Sequence, residues 1–373
     1  MKKRKNRLFR ALSSALLFTL LFSLFACAGD PPAGTTGTPE PNQTVEPVGT
    51  PPDELRRVVE DNLFYNIVPF SDHILKIGYG VRSSYESPIE TTVTMMDLYG
   101  ETIASCTVEP LGNFWVQAPT ATSDGGFLFV LGYTDYQINP GVNASSQGFA
   151  SRVVKCDAAG NIVFDTTIDQ VDGDALTFCL ERDGRFYLFG SYRKPENRPN
   201  YGETDVYVLI LSEDGEVVRS ACFGGSDFDC FYGAELTEDG FLLQVQTQST
   251  DGDFPIGDGG RPYERMEVEL NEDLSIKSVR PSERQYATYF ERVGEKDGKP
   301  IYRGDSFFDR FDAGSPRAYF DYGDYYLIVS QVTTGQMMGE PIPERSSVAY
   351  YTETVYSGYD REGNLLFRYA IFP

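Results

Sequence analysis

The sequence predicts an all-β chain: a β-propeller of four-stranded antiparallel blades, five to seven of them, preceded by a signal peptide and a disordered linker. Two turn motifs that repeat in phase through residues 53–373, and the near absence of helical periodicity there, carry this prediction. Such repetition marks architectures in which no unit buries its own hydrophobic faces and each leans on its neighbours.

The first motif is a turn that leads into an apolar strand. It reads Asp124-Gly125-Gly126-Phe127-Leu128-Phe129-Val130-Leu131, then Asp183-Gly184-Arg185-Phe186-Tyr187-Leu188, then Asp239-Gly240-Phe241-Leu242-Leu243, and finally Gly323-Asp324-Tyr325-Tyr326-Leu327-Ile328. A weaker first copy is Asp72-His73-Ile74-Leu75. The second motif is a hairpin turn between two strands, clearest at Asp157-Ala158-Ala159-Gly160-Asn161 and repeated around Gly100, Gly215, Asp273 and Gly363. Asp, Asn and Gly suit such turns because glycine accepts positive φ and the short polar side chains bond nearby backbone. The interval before Gly363 is longer than the others, which places an insertion near 281–320. That insertion is expected to be a degenerate further blade or a projecting hairpin.

Each repeat has room for about four short strands. Phe127–Leu131 and Val206–Leu211 are unbroken apolar runs, as expected of strands covered on both faces. Glu216–Ser220 is mixed and should lie outermost. Ahead of the repeats, Asp53–Val59 predicts a short helix with Asp53 as its N-cap. The run Asp-Gly-Gly-Phe at 124–127, followed by an apolar strand and Gly132-Tyr133-Thr134, resembles propeller-type repeats of secreted bacterial proteins. So do Cys222–Asp229 and Ser249–Asp253. The resemblance covers residues 120–280 and implies a fold; that group has no single activity to transfer.

Residues 1–26 read as an export signal. Lys2, Lys3, Arg4, Lys5, Arg7 and Arg10 precede an apolar run from Ala11 to Ala26, and no acid interrupts them. Leu24-Phe25-Ala26-Cys27 resembles the lipobox of bacterial lipoproteins, which implies lipid attachment at Cys27 and a mature N-terminus there. The competing reading, an uncleaved anchor, is short of the roughly 20 apolar residues that span a bilayer. Residues 27–52, rich in Pro, Thr and Gly, form a tether with too little apolar surface to fold. The implied location is the bacterial cell membrane, lipid-anchored on the extracytoplasmic side.

The formal net charge is −23, from 32 Lys+Arg and 55 Asp+Glu. That sign argues against nucleic acid as a partner. His73 is the single histidine, and Gly-x-Ser-x-Gly is absent, so a serine-hydrolase triad is disfavoured. Asp251, Asp253 and Asp258, on a glycine-rich stretch, are the candidate ligands for a calcium ion, the one cofactor considered. Their spacing is not that of an EF-hand, and the competing reading is solvated turn acids, as for Asp227 and Asp229. Cys222 and Cys230 are the candidate disulfide pair, against five buried thiols after Cys27. Aromatic residues from Phe307 to Tyr326 read as core packing before ligand contact.

The leading functional expectation is a membrane-tethered binding or scaffold module, without catalytic residues, for a protein or glycan partner of the envelope or surface. The alternative is a glycan-active enzyme with carboxylates near the propeller axis. Asp309 and Asp312 illustrate the difficulty of that alternative, since acid pairs are common in so acidic a chain.

Overall fold

Alternation along the central strands builds the architecture. The computed structural model describes residues 47–64, 67–79, 91–108, 114–134, 149–168, 175–192, 204–254, 264–282, 292–297, 299–312, 315–336 and 349–371. Cys27, Asp258 and the whole of residues 1–46 lie outside the described residues.

A short helix, α1 (Asp53–Glu60), comes first. Its N-cap is Pro52 with no side-chain cap, so Asp53 is the first helical residue and not the cap. As an acid in the first turn it still suits the helix dipole. Leu55, Val58 and Val59 form its buried stripe.

Five four-stranded antiparallel sheets follow, each in simple sequential order. The first comprises β1 (Ile67–Pro69), β2 (His73–Tyr79), β3 (Thr91–Asp97) and β4 (Thr102–Val108); the second β5 (Phe114–Ala121), β6 (Phe127–Thr134), β7 (Phe149–Cys156) and β8 (Ile162–Ile168). The third holds β9 (Ala175–Arg182), β10 (Arg185–Tyr192), β11 (Asp205–Leu211) and β12 (Val217–Phe223); the fourth β13 (Asp229–Leu236), β14 (Gly240–Thr247), β15 (Glu264–Asn271) and β16 (Ile276–Pro281). The predicted insertion contains a two-stranded hairpin, β17 (Arg292–Lys296) and β18 (Lys299–Tyr302), and a 3-10 turn at Ser306–Arg310. The last sheet is β19 (Pro316–Asp321), β20 (Tyr326–Gln336), β21 (Ala349–Tyr359) and β22 (Leu365–Ile371).

Successive side chains of a strand point to opposite faces, and here both faces are covered. Phe127 and Phe129 of β6 pack with Leu75, Val93 and Met95 of the first sheet. Leu128 and Val130, on the other face, pack with Leu188, Leu209 and Leu211 of the third. Tyr187 and Phe189 of β10 then meet Phe231, Phe241 and Leu243 of the fourth. This relay is a propeller-like stacking of sheets, and it explains the unbroken apolar runs. Each such fully buried side chain contributes about 1.5–3 kcal/mol. The last sheet returns to the first: Phe320, Leu327 and Tyr356 share a core with Ile74, Met96 and the α1 stripe. The hairpin packs Val293 and Ile301 on Tyr319, Tyr326 and Ile328. Phe307 sits among Phe308, Phe311, Tyr319 and Tyr326 in edge contacts, so those aromatics are packing groups.

The fourth sheet differs. One face is apolar, but the other carries Gln244 and Glu267, which bond each other at 3.0 Å, with Arg280 on Glu267 at 2.9 Å. Gln244 and Gln246 interrupt the apolar run of β14.

Antiparallel order sends alternate connections to opposite ends of the sheets. One end carries the tight turns, at 70–72, 122–126, 183–184, 237–239 and 322–325, and at 98–101, 157–161, 212–216, 272–275 and 360–364, with α1 packed beside the turn at 98–101. Both sequence motifs lie there. In the third-to-fourth-strand turns, the residue four from the turn's start has positive φ and closes a bond three residues back: Gly100, Gly160, Gly215, Leu274 and Gly363. A register shift accompanies each turn, giving five equivalent bulges. The other end receives the connections 80–90, 135–148, 193–204, 248–263 and 337–348.

The tight-turn end is cross-laced. Ser123 donates to Glu181 through N–H and Oγ at 2.7 and 2.6 Å. Arg182 reaches the carbonyls of Thr237 and Gly240 in the fourth sheet. The Tyr322 hydroxyl donates to the Leu98 carbonyl, joining last sheet to first. At the rim, Val48 pairs with Arg368 of β22 through N–H···O bonds of 2.9 and 2.7 Å, so the end of the expected tether is strand-bridged.

Candidate functional site

The acid-rich junction between the third and fourth sheets, at the long-connection end, gathers most of the singled-out residues. The chain passes from β12 to β13 through Gly224-Gly225-Ser226-Asp227-Phe228. It leaves β14 through Gln248-Ser249-Thr250-Asp251-Gly252-Asp253-Phe254. Phe254 is buried in the core between the two sheets and anchors this second segment.

The two segments are sewn together by carboxylates accepting backbone N–H groups. Ser226 N–H donates to Asp251 Oδ1 at 2.7 Å, and Gly224 N–H to Asp253 Oδ2 at 3.2 Å. Asp253 N–H returns to the Gly224 carbonyl at 3.0 Å. Asp229 Oδ2 accepts from Gly225 N–H at 2.7 Å and from Ser249 Oγ at 2.8 Å. The glycines are required sterically: a Cβ on Gly224 would overlap Asp205 Oδ1 and sit 2.9 Å from Asp229 Oδ2. That geometry puts the two carboxyl groups within about 5 Å of each other.

Asp205 and Asp229 are both fully buried, at 1% and 0% exposure, and among the described residues Asp229 Oδ1 has no hydrogen-bond partner. Burial pushes the Asp229 carboxyl up, and the Asp227 charge adds to this; hydrogen bonds from Thr247, Ser249 and Gly225 N–H oppose it. Asp229 in this position ties the two loop segments together.

Asp251 and Asp253 thus come together with Asp229 at one junction, acting on backbone N–H groups, while Asp258 is outside the described residues. Among the described residues no three Asp, Glu, His or Cys groups converge as ligands for a metal ion. Cys222 and Cys230 are not bridged to each other in this structure. Cys222, on the outer strand β12, packs toward the second sheet, whereas Cys230, on the inner strand β13, lies 3.4 Å from Ser191 Oγ. Closeness in sequence put them on opposite edges of adjacent sheets. His73 stacks on Phe70, with ring centroids 4.8 Å apart, and bonds Asp72, as a turn residue does. Asp309 and Asp312 are exposed, and Asp312 pairs with Arg368.

Sequence reasoning missed Asp205 and Ser249. Asp205 had a faint signal, a lone acid at the head of the apolar run Val206–Leu211. It also missed Lys155, which is buried in β7 with its Nζ 2.9 and 3.0 Å from the Asp124 carboxylate and 2.7 Å from the Cys156 carbonyl. Burial raises the Asp124 pKa, but hydrogen bonds from Thr122, Lys155 and Gly126 N–H outweigh it and hold the carboxyl at about 2.

No family model matches the chain, and no curated protein matches it. Among solved structures it is similar to a Bacteroides caccae protein of unknown function at 11% identity and TM-score 0.31, over 82% of this chain and 93% of that one. An alpha-L-arabinofuranosidase of Clostridium thermocellum matches at 15% identity and TM-score 0.30, over 58% and 71%. A lignostilbene dioxygenase of Pseudomonas brassicacearum matches at 11% identity and TM-score 0.35, over 82% and 72%.

Proposed function

We propose that this chain is an extracytoplasmic lipoprotein, tethered through Cys27, whose propeller is a non-catalytic binding module for an envelope or surface partner, protein or glycan. In this reading the ring closes with six units. The hairpin β17–β18 stands in the fifth place, and Val48 fastens the outer edge of the last blade. The polar second face of the fourth sheet is consistent with a reduced neighbour.

The observation that carries the proposal is the division between the two ends. The tight-turn end is cross-laced between sheets, and all five long connections leave from the opposite end, where a partner meets them without disturbing the core. The buried state of Asp205 and Asp229 favours binding over carboxylate catalysis, because an acid–base pair must reach its substrate.

The test is detergent-phase partitioning of the full chain and of Cys27→Ala, with both then presented to isolated envelope fractions. Loss of the variant from the detergent phase, with envelope retention unchanged, is expected. Unchanged partitioning contradicts the tether, and release of reducing sugars from the envelope material contradicts the non-catalytic reading.

A further inference from the structure

The first and second sheets meet through an interlock that includes two thiols. In β4 burial alternates, so Ala104, Cys106 and Val108 face inward while their neighbours are exposed. Cys156 ends β7, wholly buried, and shares one core with Cys106. Beyond it, the turn at 157–161 presses Gly160 onto the backbone of Ser105, next to Cys106; a Cβ on Gly160 would lie 2.9 Å from both Ser105 N and C. The same device recurs one sheet on, where Gly215 rests on Phe164 and its carbonyl accepts from Thr166 Oγ1 at 2.9 Å. Cys106 and Thr166 stand six residues after their own turn glycines, and Cys156 and Leu211 four before theirs. The two positions thus stand on the strands that flank each of these two joints. At the first joint both are cysteine; in this structure the two thiols are unbridged, like the others after Cys27, and are hydrogen-bond partners.

A bridge needs Cα atoms within about 7 Å and side chains that face each other, and this joint turns the two side chains into one core. We propose that Cys106 and Cys156 form a disulfide joining the first and second sheets, closed during folding by a disulfide-bearing oxidant. One thiolate attacks the oxidant, R–S–S–R, and releases R–SH. The second thiol then displaces the other R–SH, giving one S–S bond and two reduced oxidant thiols, with both protein protons carried off. Burial sets the timing. At 2% and 0% exposure neither sulfur is open to the oxidant after the sheets dock, so the redox state is fixed as the chain folds. Burial pushes Cys179 up to about 12 and Cys230 upward, which leaves them poor nucleophiles.

The experiment refolds the full chain in mixed oxidised and reduced glutathione, traps free thiols by alkylation in denaturant, and maps peptides without reductant. One cross-linked pair joining Cys106 to Cys156 is expected, with Cys179, Cys222 and Cys230 alkylated. The oxidised chain should melt at least about 5 °C above chain refolded in dithiothreitol. Cys106→Ser should remove both the cross-link and the difference in midpoint. Alkylated Cys106 and Cys156 in folded, oxidant-treated chain would overturn the proposal, and so would a bridge from either to another cysteine. Because glutathione supplies the oxidant, this outcome is independent of whether the chain is exported.

Discussion

The two ends of the stacked sheets obey different rules. At the tight-turn end, five bulged turns share one geometry, one hydrogen-bond pattern and one residue preference. Side chains there tie sheet to sheet. At the other end the connections share no sequence motif, and the one junction described in full, at 224–229 and 248–254, is held by Asp229, Asp251 and Asp253 on backbone N–H groups. Repetition is thus a mark of what holds the fold, and in the proposed reading its loss marks the end that meets a partner.

The most severe break of this comparison is Gly160→Val. At φ +85 a β-branched residue is strained, and its Cβ would enter the Ser105 backbone. A loss of about 4 kcal/mol is expected in urea unfolding.

Next is the Lys155–Asp124 pair, where the two partners should respond unequally. Asp124→Asn leaves a buried ammonium without its counter-charge and is expected to cost about 3 kcal/mol. Lys155→Met leaves a carboxylate that is already half exposed, and should cost about 1 kcal/mol. Equal losses would contradict the assigned roles. The pH dependence follows from the sign of the shift. Asp124 lies below its ordinary value of 3.8, at about 2, so its contribution is full above pH 3.8 and is lost as the pH falls toward 2. Acid titration of the unfolding midpoint should show this slope in the wild type and a shallower one in Lys155→Met, where Thr122 and Gly126 N–H still bond the carboxylate.

Smaller still is Leu274→Gly. Leu274 alone among the five turn positions holds positive φ without being glycine, and it is also buried in the core. Relief of strain is worth roughly 1–2 kcal/mol. Loss of a buried leucine side chain costs about 2–5 kcal/mol. A net loss of about 1–2 kcal/mol is expected by the same urea measurement.

This division also explains how much the sequence could disclose. Turns such as Asp157–Asn161 are local, with their chemistry written in adjacent residues, so strand order and the apolar runs from Phe127 and Val206 were legible. The insertion at 281–320 was visible without its meaning. The junction between the third and fourth sheets was not legible, because Asp205, Asp229 and Ser249 meet only after those sheets dock. Cysteines misled for the same reason: Cys222 and Cys230 are near in sequence and apart in space, while Cys106 and Cys156 are the reverse.

The central claim is that stability resides at one end and recognition at the other. Its most direct test replaces the connections 135–148 and 337–348 together by short Gly-Ser turns, then measures the urea midpoint and retention on envelope fractions in the same preparation. The account predicts stability within about 1 kcal/mol of the parent, because loop closure depends only weakly on length, together with lost retention. A collapsed midpoint, or retention undiminished in a stable variant, would contradict it.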